Sequence, residues 1–291
     1  MSNTIYSKFL MFLIFVGVIL AIAYGSICVF LLVRQNHYIF FPSSIIEKTP
    51  AFFNVDYEDV WIPVPPTSPK GERIHGWWIP AKKPAVGVLL YLHGNGINIG
   101  ANVAHATRFH QLGFSVLLID YRGYGKSQGG FPSESQVYQD AKAAWNYLIQ
   151  KRQIPAKQIF VYGHSLGGAI AIDLGVSHPE AAGLILESTF TSMQAMVALS
   201  SQFRIFPVKL LLNQRFDSIT KVKLLKMPVL FIHGTADSVV PAEMSKILFA
   251  VAPEPKQIFL VPAAGHNDVA DVAGSQYLQT IEEFLEQVRF R

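Results

Sequence analysis

Residues 158–168 read Gln158-Ile159-Phe160-Val161-Tyr162-Gly163-His164-Ser165-Leu166-Gly167-Gly168, an apolar run leading into a GxSxG pentapeptide. The small, helix-compatible stretch Ala169-Ile170-Ala171-Ile172-Asp173-Leu174 follows. A serine hydroxyl is a poor nucleophile at neutral pH, so it must be held exposed beside a general base, and a sharp strand-to-helix turn does this. Gly163 and Gly167 lack a Cβ and let neighbouring backbone approach, while the helix that follows aims free N–H groups at a developing anion. The pattern therefore predicts a strand, a nucleophile at Ser165 and a helix, against the plainer reading of a tight turn with a buried serine.

Outward from this turn, strands are expected at Val55–Ile62, Ile74–Ile79, Val86–Leu92, Ser115–Asp120, Leu184–Glu187, Val229–His233 and Gln257–Val261, with Gln158–Tyr162 among them. The first two flank a Pro-rich turn and suit an antiparallel hairpin. The later ones are continuous apolar runs, as strands covered on both faces of a mostly parallel sheet require. Helices alternate with them. Ser133 and Gln136 form a capping-box pattern ahead of Val137, Ala141, Ala144, Trp145 and Leu148 on one face. Pro241 suits the first turn of a helix through Ala250, and Leu278, Ile281, Phe284, Leu285 and Val288 give the last helix its stripe. The alternation predicts an α/β fold: a mostly parallel eight-stranded sheet, helices on both faces.

A serine at the carboxyl end of a strand needs an imidazole, and the imidazole needs a carboxylate that fixes its tautomer. Of nine histidines, His266 follows the strand ending at Val261 and reaches the sheet edge that holds Ser165. His164 adjoins the serine, but the turn points adjacent side chains apart. His93 and His233 end buried strands and suit packing and hydrogen bonding; His37, His75, His105, His110 and His178 carry no local signal. Asp237, in the short loop after Val229–His233, is the expected acid. Glu187 is its rival, since the chain order serine, acid, histidine accommodates both. Asp268 and Asp271 lie too close along the chain to His266, and Asp140, Asp173 and Asp217 suit structural roles. Two N–H donors are needed for an oxyanion: Leu166 supplies one, and Asn95 in the loop His93-Gly94-Asn95-Gly96 is the choice for the other.

The connection from 189 to 227 is long and rich in Met, Phe and Leu, which suits a cap over the carboxyl edge of the sheet. Its Phe203, Ile205, Phe206, Val208, Leu210, Leu211 and Leu212 can line an acyl pocket, touch lipid or cover the sheet; apolar residues of a cap usually complete a core, which favours the last.

The chain has 291 residues, 51% of them hydrophobic and many at its start. No residue from Phe9 to Val33 is charged. A helix of that length spans roughly 37 Å, enough to cross a hydrocarbon layer of about 30 Å, and exceeds the apolar core of a secretory signal. The sequence thus divides into a tail at 1–8, a transmembrane anchor at 9–33, a juxtamembrane linker at 34–54 whose Tyr38, Phe40 and Phe41 suit a membrane interface, and one domain at 55–291. Lys8, Arg34 and Lys48 are too few to orient the anchor. The one cysteine, Cys28, lies within the anchor, which leaves the domain no thiolate metal site and no catalytic cysteine. No N-x-S/T sequon occurs. The net charge of +4 is scattered, not gathered in the basic stripe that nucleic acid requires. Two nucleotide-binding patterns fail: Gly125-Lys126-Ser127 has Asp120 where a P-loop needs its first glycine, and Gly94-x-Gly96 has Ile99 in place of a third glycine.

Together the His93-Gly94 loop, Asp120-Tyr121-Arg122-Gly123-Tyr124-Gly125-Lys126-Ser127, Gly163 to Gly167, Asp237 and Gly265-His266 resemble the α/β-hydrolase fold family across nearly everything after residue 55. The anchor, Ile39-Phe40-Phe41-Pro42 and Phe216-Asp217-Ser218 are similar to the single-span, short-cap abhydrolase-domain group, which includes protein depalmitoylases and bud-emergence-type homologues. The resemblance implies Ser165, Asp237 and His266 as a triad, with no metal and no organic cofactor. The HG loop departs from the HGGG pattern of many lipases. The expected activity is hydrolysis of an ester or thioester, a lipid or an acylated protein being among the candidate substrates. A peptidase on the same triad and a noncatalytic membrane-anchored binding protein are the alternatives. Sidedness in the membrane and oligomeric state stay open.

Overall fold

The computed structural model describes residues 2–65, 71–82 and 85–289. Eight strands form one sheet: β1 (Glu58–Val64), β2 (Glu72–Ile79), β3 (Gly87–Leu92), β4 (Phe114–Ile119), β5 (Ile159–His164), β6 (Gly183–Glu187), β7 (Val229–Gly234) and β8 (Lys256–Val261). Their spatial order is β8-β7-β6-β5-β3-β4-β2-β1. Pairing is parallel from β4 to β8, while β1 with β2 and β2 with β4 run antiparallel. The hairpin expected at the start is thus present as β1 and β2; the centre of its turn, 66–70, lies outside the described residues. Strands β3 to β7 are buried along nearly their whole length, because helices cover both faces.

The longer helices are α1 (Ser2–Arg34), α2 (Val103–Gln111), α3 (Glu134–Gln150), α4 (Leu166–Ser177), α5 (Glu243–Val251) and α6 (Ser275–Arg289). Two apolar clusters fill the space on the two faces. Val137, Ala141, Trp145 and Leu148 of α3 lie in one, with Ile170 and Leu174 of α4; Phe109 of α2 and Ile281, Phe284 and Leu285 of α6 lie in the other. The stripes read at helical spacing on α3 and α6 are the residues that pack.

The first turn of α3 differs from its expected capping box. Ser133 Oγ donates to Gln136 Oε1 at 2.9 Å and makes no cap bond to the main chain. The Glu134 N–H in the first turn instead donates to Gln214 Oε1 at 2.6 Å, and the Glu134 carboxylate accepts from the N–H groups of Arg215 and Phe216 (2.8 Å for the latter).

Arg122, just after β4, is fully buried. Its Nε and main-chain N–H both donate to Asp140, at 2.8 Å each. Burial still pushes the Asp140 carboxyl up to about 6, against the pull of Arg122.

The stretch 34–54 is packed on the domain and is no free linker. Phe41–Pro42 pairs in parallel with Gly96–Ile97, and Asn98 Nδ2 donates to the carbonyls of Ser43 (3.0 Å) and Ile45 (2.7 Å). Phe40, expected at a membrane interface, is 1% exposed and meets Phe216 edge-on with ring centroids 6.1 Å apart. Tyr38 and Phe41 are exposed. A two-residue pairing leaves no alternation in the sequence to reveal it. Helix α1 stands apart from this core: its apolar run is solvent-facing and long enough to cross a membrane, which makes it a candidate anchor or signal segment.

Candidate active site

Ser165 sits between β5 and α4 with φ 53° and ψ −116°. This backbone region disfavours a side chain, and the surroundings hold it there. The Ser165 N–H donates to the Glu187 carbonyl at 2.8 Å, and Thr189 Oγ1 donates to the Ser165 carbonyl at 2.9 Å. The two glycines of the turn are sites of close approach. A Cβ on Gly167 would stand 2.0 Å from the Leu92 carbonyl oxygen, and one on Gly163 would stand 2.3 Å from that of Gly167.

The sheet edge brings the three expected residues together. His266 Nε2 lies 3.1 Å from Ser165 Oγ, and His266 Nδ1 lies 2.7 Å from Asp237 Oδ2. A carboxylate accepts only, so Nδ1 carries the proton and Nε2 is the free base facing the hydroxyl. Asp237 Oδ1 accepts from the N–H groups of Val239 and Val240, both at 2.8 Å. Burial raises the Asp237 carboxyl, but the hydrogen bonds from His233, His266 and Val240 outweigh it and hold the group well below the usual carboxylate range. An imidazole held this way can take a proton from Ser165 and be stabilised as a cation.

Glu187, the rival acid, is buried and engaged elsewhere. It accepts from Tyr277 OH at 2.5 Å and lies 3.6 Å from His105 Nε2. Burial holds the His105 imidazole down to about 4, the Glu187 charge offsetting this only in part. Asp140 and Asp173 pair with Arg122 and Lys221, and Asp268 accepts from the Gly265 N–H at 2.6 Å.

Two histidines do more at the site than their sequence positions suggest. His233 Nε2–H is shared between the Val240 carbonyl (2.9 Å) and Asp237 Oδ2 (3.2 Å), while its Nδ1 accepts from Ser245 Oγ at 2.6 Å. It therefore shares Asp237 Oδ2 with His266. His164 Nε2–H donates to the His266 carbonyl at 3.0 Å, and the two rings lie with centroids 5.0 Å apart. Burial lowers the His164 imidazole below its ordinary value, and the nearby His266 ring adds to this. Only the direction of the residue after a strand end, on which sequence spacing is silent, separates these two from bystanders.

Leu166 opens α4, so its main-chain N–H is one of the helix's unpaired first-turn donors. Asn95 lies across the same cavity, brought close by Gly94, where a Cβ would stand 3.5 Å from that of Ser165. The Asn95 side chain is not free: its Nδ2 donates to the Ile39 carbonyl at 3.0 Å. Among the described residues no group of His, Cys, Asp and Glu is arranged to hold a metal ion.

Ser165 opens into a cavity of about 300 Å³. Its floor is Ser165, Leu166 and Asn95; its walls come from the connection after β6, including Met193, Met196 and Phe206, and from Val239 and Val240. Of the seven apolar cap residues read as covering the sheet, none is buried. Phe203, Phe206, Val208, Leu211 and Leu212 line the cavity, and Ile205 and Leu210 are exposed at 72% and 84%. The short helices Met193–Leu199 and Val208–Leu211 stand off the sheet and enclose space above the serine, so these residues meet one another across a void.

A sheet of this order, with a serine on a strained strand-to-helix turn and an Asp-supported histidine after the last strand, defines the α/β-hydrolase class. The chain belongs to that family. Residues 83–220 match the family model described as serine aminopeptidase, S33 (Hydrolase_4). The Schizosaccharomyces pombe protein bem46 is 35% identical over 249 residues, covering 81% of this chain and 79% of its own. The Arabidopsis thaliana α/β-hydrolase domain-containing protein WAV2 is 33% identical over 260 residues, covering 82% of each. Among solved structures, the Pyrococcus furiosus esterase Pf2001 superposes with a TM-score of 0.68 at 22% identity, over 86% of this chain and 98% of its own, a likeness of fold.

Proposed function

We propose that the protein is a membrane-anchored serine hydrolase that cleaves a carboxylic ester or thioester with an apolar acyl group. The observation that carries this is the continuous chain of contacts from Asp237 through His266 to Ser165 at the floor of an apolar cavity. Ser165 Oγ attacks the acyl carbonyl as its proton passes to His266 Nε2. The tetrahedral oxyanion accepts from the main-chain N–H groups of Leu166 and Asn95; the Asn95 side chain, tied to Ile39, fixes its loop instead. The bond to the leaving alcohol or thiol then breaks, and that group departs with the proton from His266. Water, deprotonated by His266, splits the acyl-serine and releases the acid, returning Ser165 to its starting form.

The family model's description raises an aminopeptidase as a second reading. An aminopeptidase must hold the substrate's ammonium group, and a carboxylate is the usual means. Among the described residues that line the cavity there is no Asp or Glu, and its polar side chains there are neutral. Apolar walls with a few neutral polar groups suit an acyl chain.

Turnover of matched p-nitrophenyl esters and acyl thioesters from acetyl to palmitoyl, beside an aminoacyl arylamide, tests the reading. The expected result is hydrolysis of the acyl substrates with a preference for medium or long chains, lowered at least about 10⁴-fold by Ser165→Ala. Cleavage of the arylamide alone would move the assignment to a peptidase. No turnover of any substrate would leave a noncatalytic binding protein.

A further inference from the structure

The cavity over Ser165 has a wall that the hydrolase domain does not supply. Leu31 of α1 and Gln35, just beyond it, line the cavity together with Phe206, Val208 and Leu211 of the cap. The junction is specific. Gln35 is 8% exposed; its Nε2 donates to the Leu32 carbonyl (2.7 Å) and the Leu211 carbonyl (3.2 Å), and its Oε1 accepts from the N–H groups of Asn213 (2.9 Å) and Gln214 (3.1 Å). Higher on the helix, Tyr24 OH donates to the Ile205 carbonyl at 2.8 Å and stacks on Phe206 with centroids 5.7 Å apart.

The length of α1 explains how one helix can serve both the bilayer and the cap. Its apolar run, Ile5–Arg34, has 30 residues. About 20 residues are enough to cross about 30 Å of hydrocarbon, so the part up to Tyr24 suffices for a span, with Lys8 reaching back toward headgroups. The remaining ten residues, about 15 Å of helix, carry Leu31 to the cavity, while Ile27, Val29, Phe30 and Val33 stay exposed. Tyr24 then falls at the boundary of the hydrocarbon, where tyrosines concentrate. The cap segment bonded to it lies at the same depth. There Ile205 and Leu210 project into the surroundings beside Arg204 and Lys209, which also are exposed. Apolar tips flanked by cations match a leaflet surface, apolar below and phosphate-rich above.

The geometry points to a membrane-fed site: the cap seats in the leaflet at Ile205 and Leu210, and the end of α1 forms one wall of the acyl cavity, so that the acyl chain reaches Ser165 from the bilayer. This rests on the reading of Ser165 as the nucleophile. The substrate class it names is a long-chain acyl ester or thioester embedded in the leaflet. A water-soluble acyl donor uses the same serine without needing the seated cap.

The full-length protein in phosphatidylcholine nanodiscs, and the same protein in detergent, would be given p-nitrophenyl acetate in solution and 4-methylumbelliferyl palmitate dispersed in the same lipid or detergent. The double variant Ile205→Asp/Leu210→Asp puts charge on the cap tips, which do not line the cavity. Its acetate turnover is expected to stay within about twofold of wild type while palmitate turnover in nanodiscs falls at least tenfold, with a smaller loss in detergent. Leu31→Trp, which fills the cavity from α1, should lower the palmitate-to-acetate ratio of kcat/KM at least tenfold relative to wild type. Unchanged palmitate turnover in nanodiscs for the double variant, or an unchanged chain-length ratio for Leu31→Trp, would overturn the membrane-fed site. Equal losses in nanodiscs and detergent would also overturn it, since they would mark an effect on the cavity or on a protein partner, not on lipid seating. Failure of the wild type on both substrates would instead remove the hydrolase reading beneath it.

Discussion

Asp237 carries four hydrogen bonds, two from main-chain N–H groups and one from each of two histidines, and this concentration fixes its behaviour toward acid. Its folded-state carboxyl lies below the unfolded value, so its stabilising contribution is complete above about pH 4 and is lost as the pH falls through the folded value. Asp237→Asn should therefore lower Tm relative to wild type at pH 7, and the gap should close on acidification below about pH 4. Thermal melts across that range check this; a gap that widens in acid would contradict it. Of the three expected triad residues His233 is bonded to Asp237 alone, the place of a positioning residue. His233→Phe should lower kcat about tenfold with little change in KM, whereas a loss confined to KM would show that it acts on substrate binding. The meeting of Ser165, His266 and Asp237 was legible in the sequence because each ends or follows an apolar strand run at one sheet edge. His233 and His164 were not, because their roles depend on which way a ring turns after the strand, and spacing carries no such information.

The strands were legible as elements because burial on both faces writes continuous apolar runs, and the helices α3 and α6 because burial on one face writes a stripe. The cap was the exception. Its residues are as apolar as a core, yet they stand off the sheet and surround a cavity, and apolar composition alone cannot distinguish lining a void from filling one. The capping box at Ser133 failed for a different reason: Glu134, one residue on, is bonded to the far end of the cap insertion, a tertiary contact that no local pattern reports. Arg122 joins the loop after β4 to α3 and is fully buried against Asp140. Arg122→Met should cost about 3–5 kcal/mol, because it strands a buried carboxylate. Adding Asp140→Leu should restore most of the loss, and denaturant unfolding of the two variants checks it; a double variant no more stable than the single would contradict the account.

At the scale of the whole molecule, helix α1 touches the cap at Tyr24 and Leu31, and the chain just beyond it at Gln35 is bonded to the cap. Within the 34–54 stretch, Gln35 and Ile39 supply buried contacts to the cap and to the Asn95 loop as soon as the chain leaves α1. Removing residues 1–34 should leave the sheet folded but uncover Phe206, Val208 and Leu211, and the product should self-associate in light scattering. A dispersed monomer would count against the docked arrangement of α1. The most direct test of the central claim is labelling of the full-length protein in membranes with a fluorophosphonate, read by mass spectrometry. The account predicts an adduct on Ser165 that is absent in Ser165→Ala and much slower to form in His266→Ala. An unlabelled wild type, or labelling undiminished in Ser165→Ala, would contradict it.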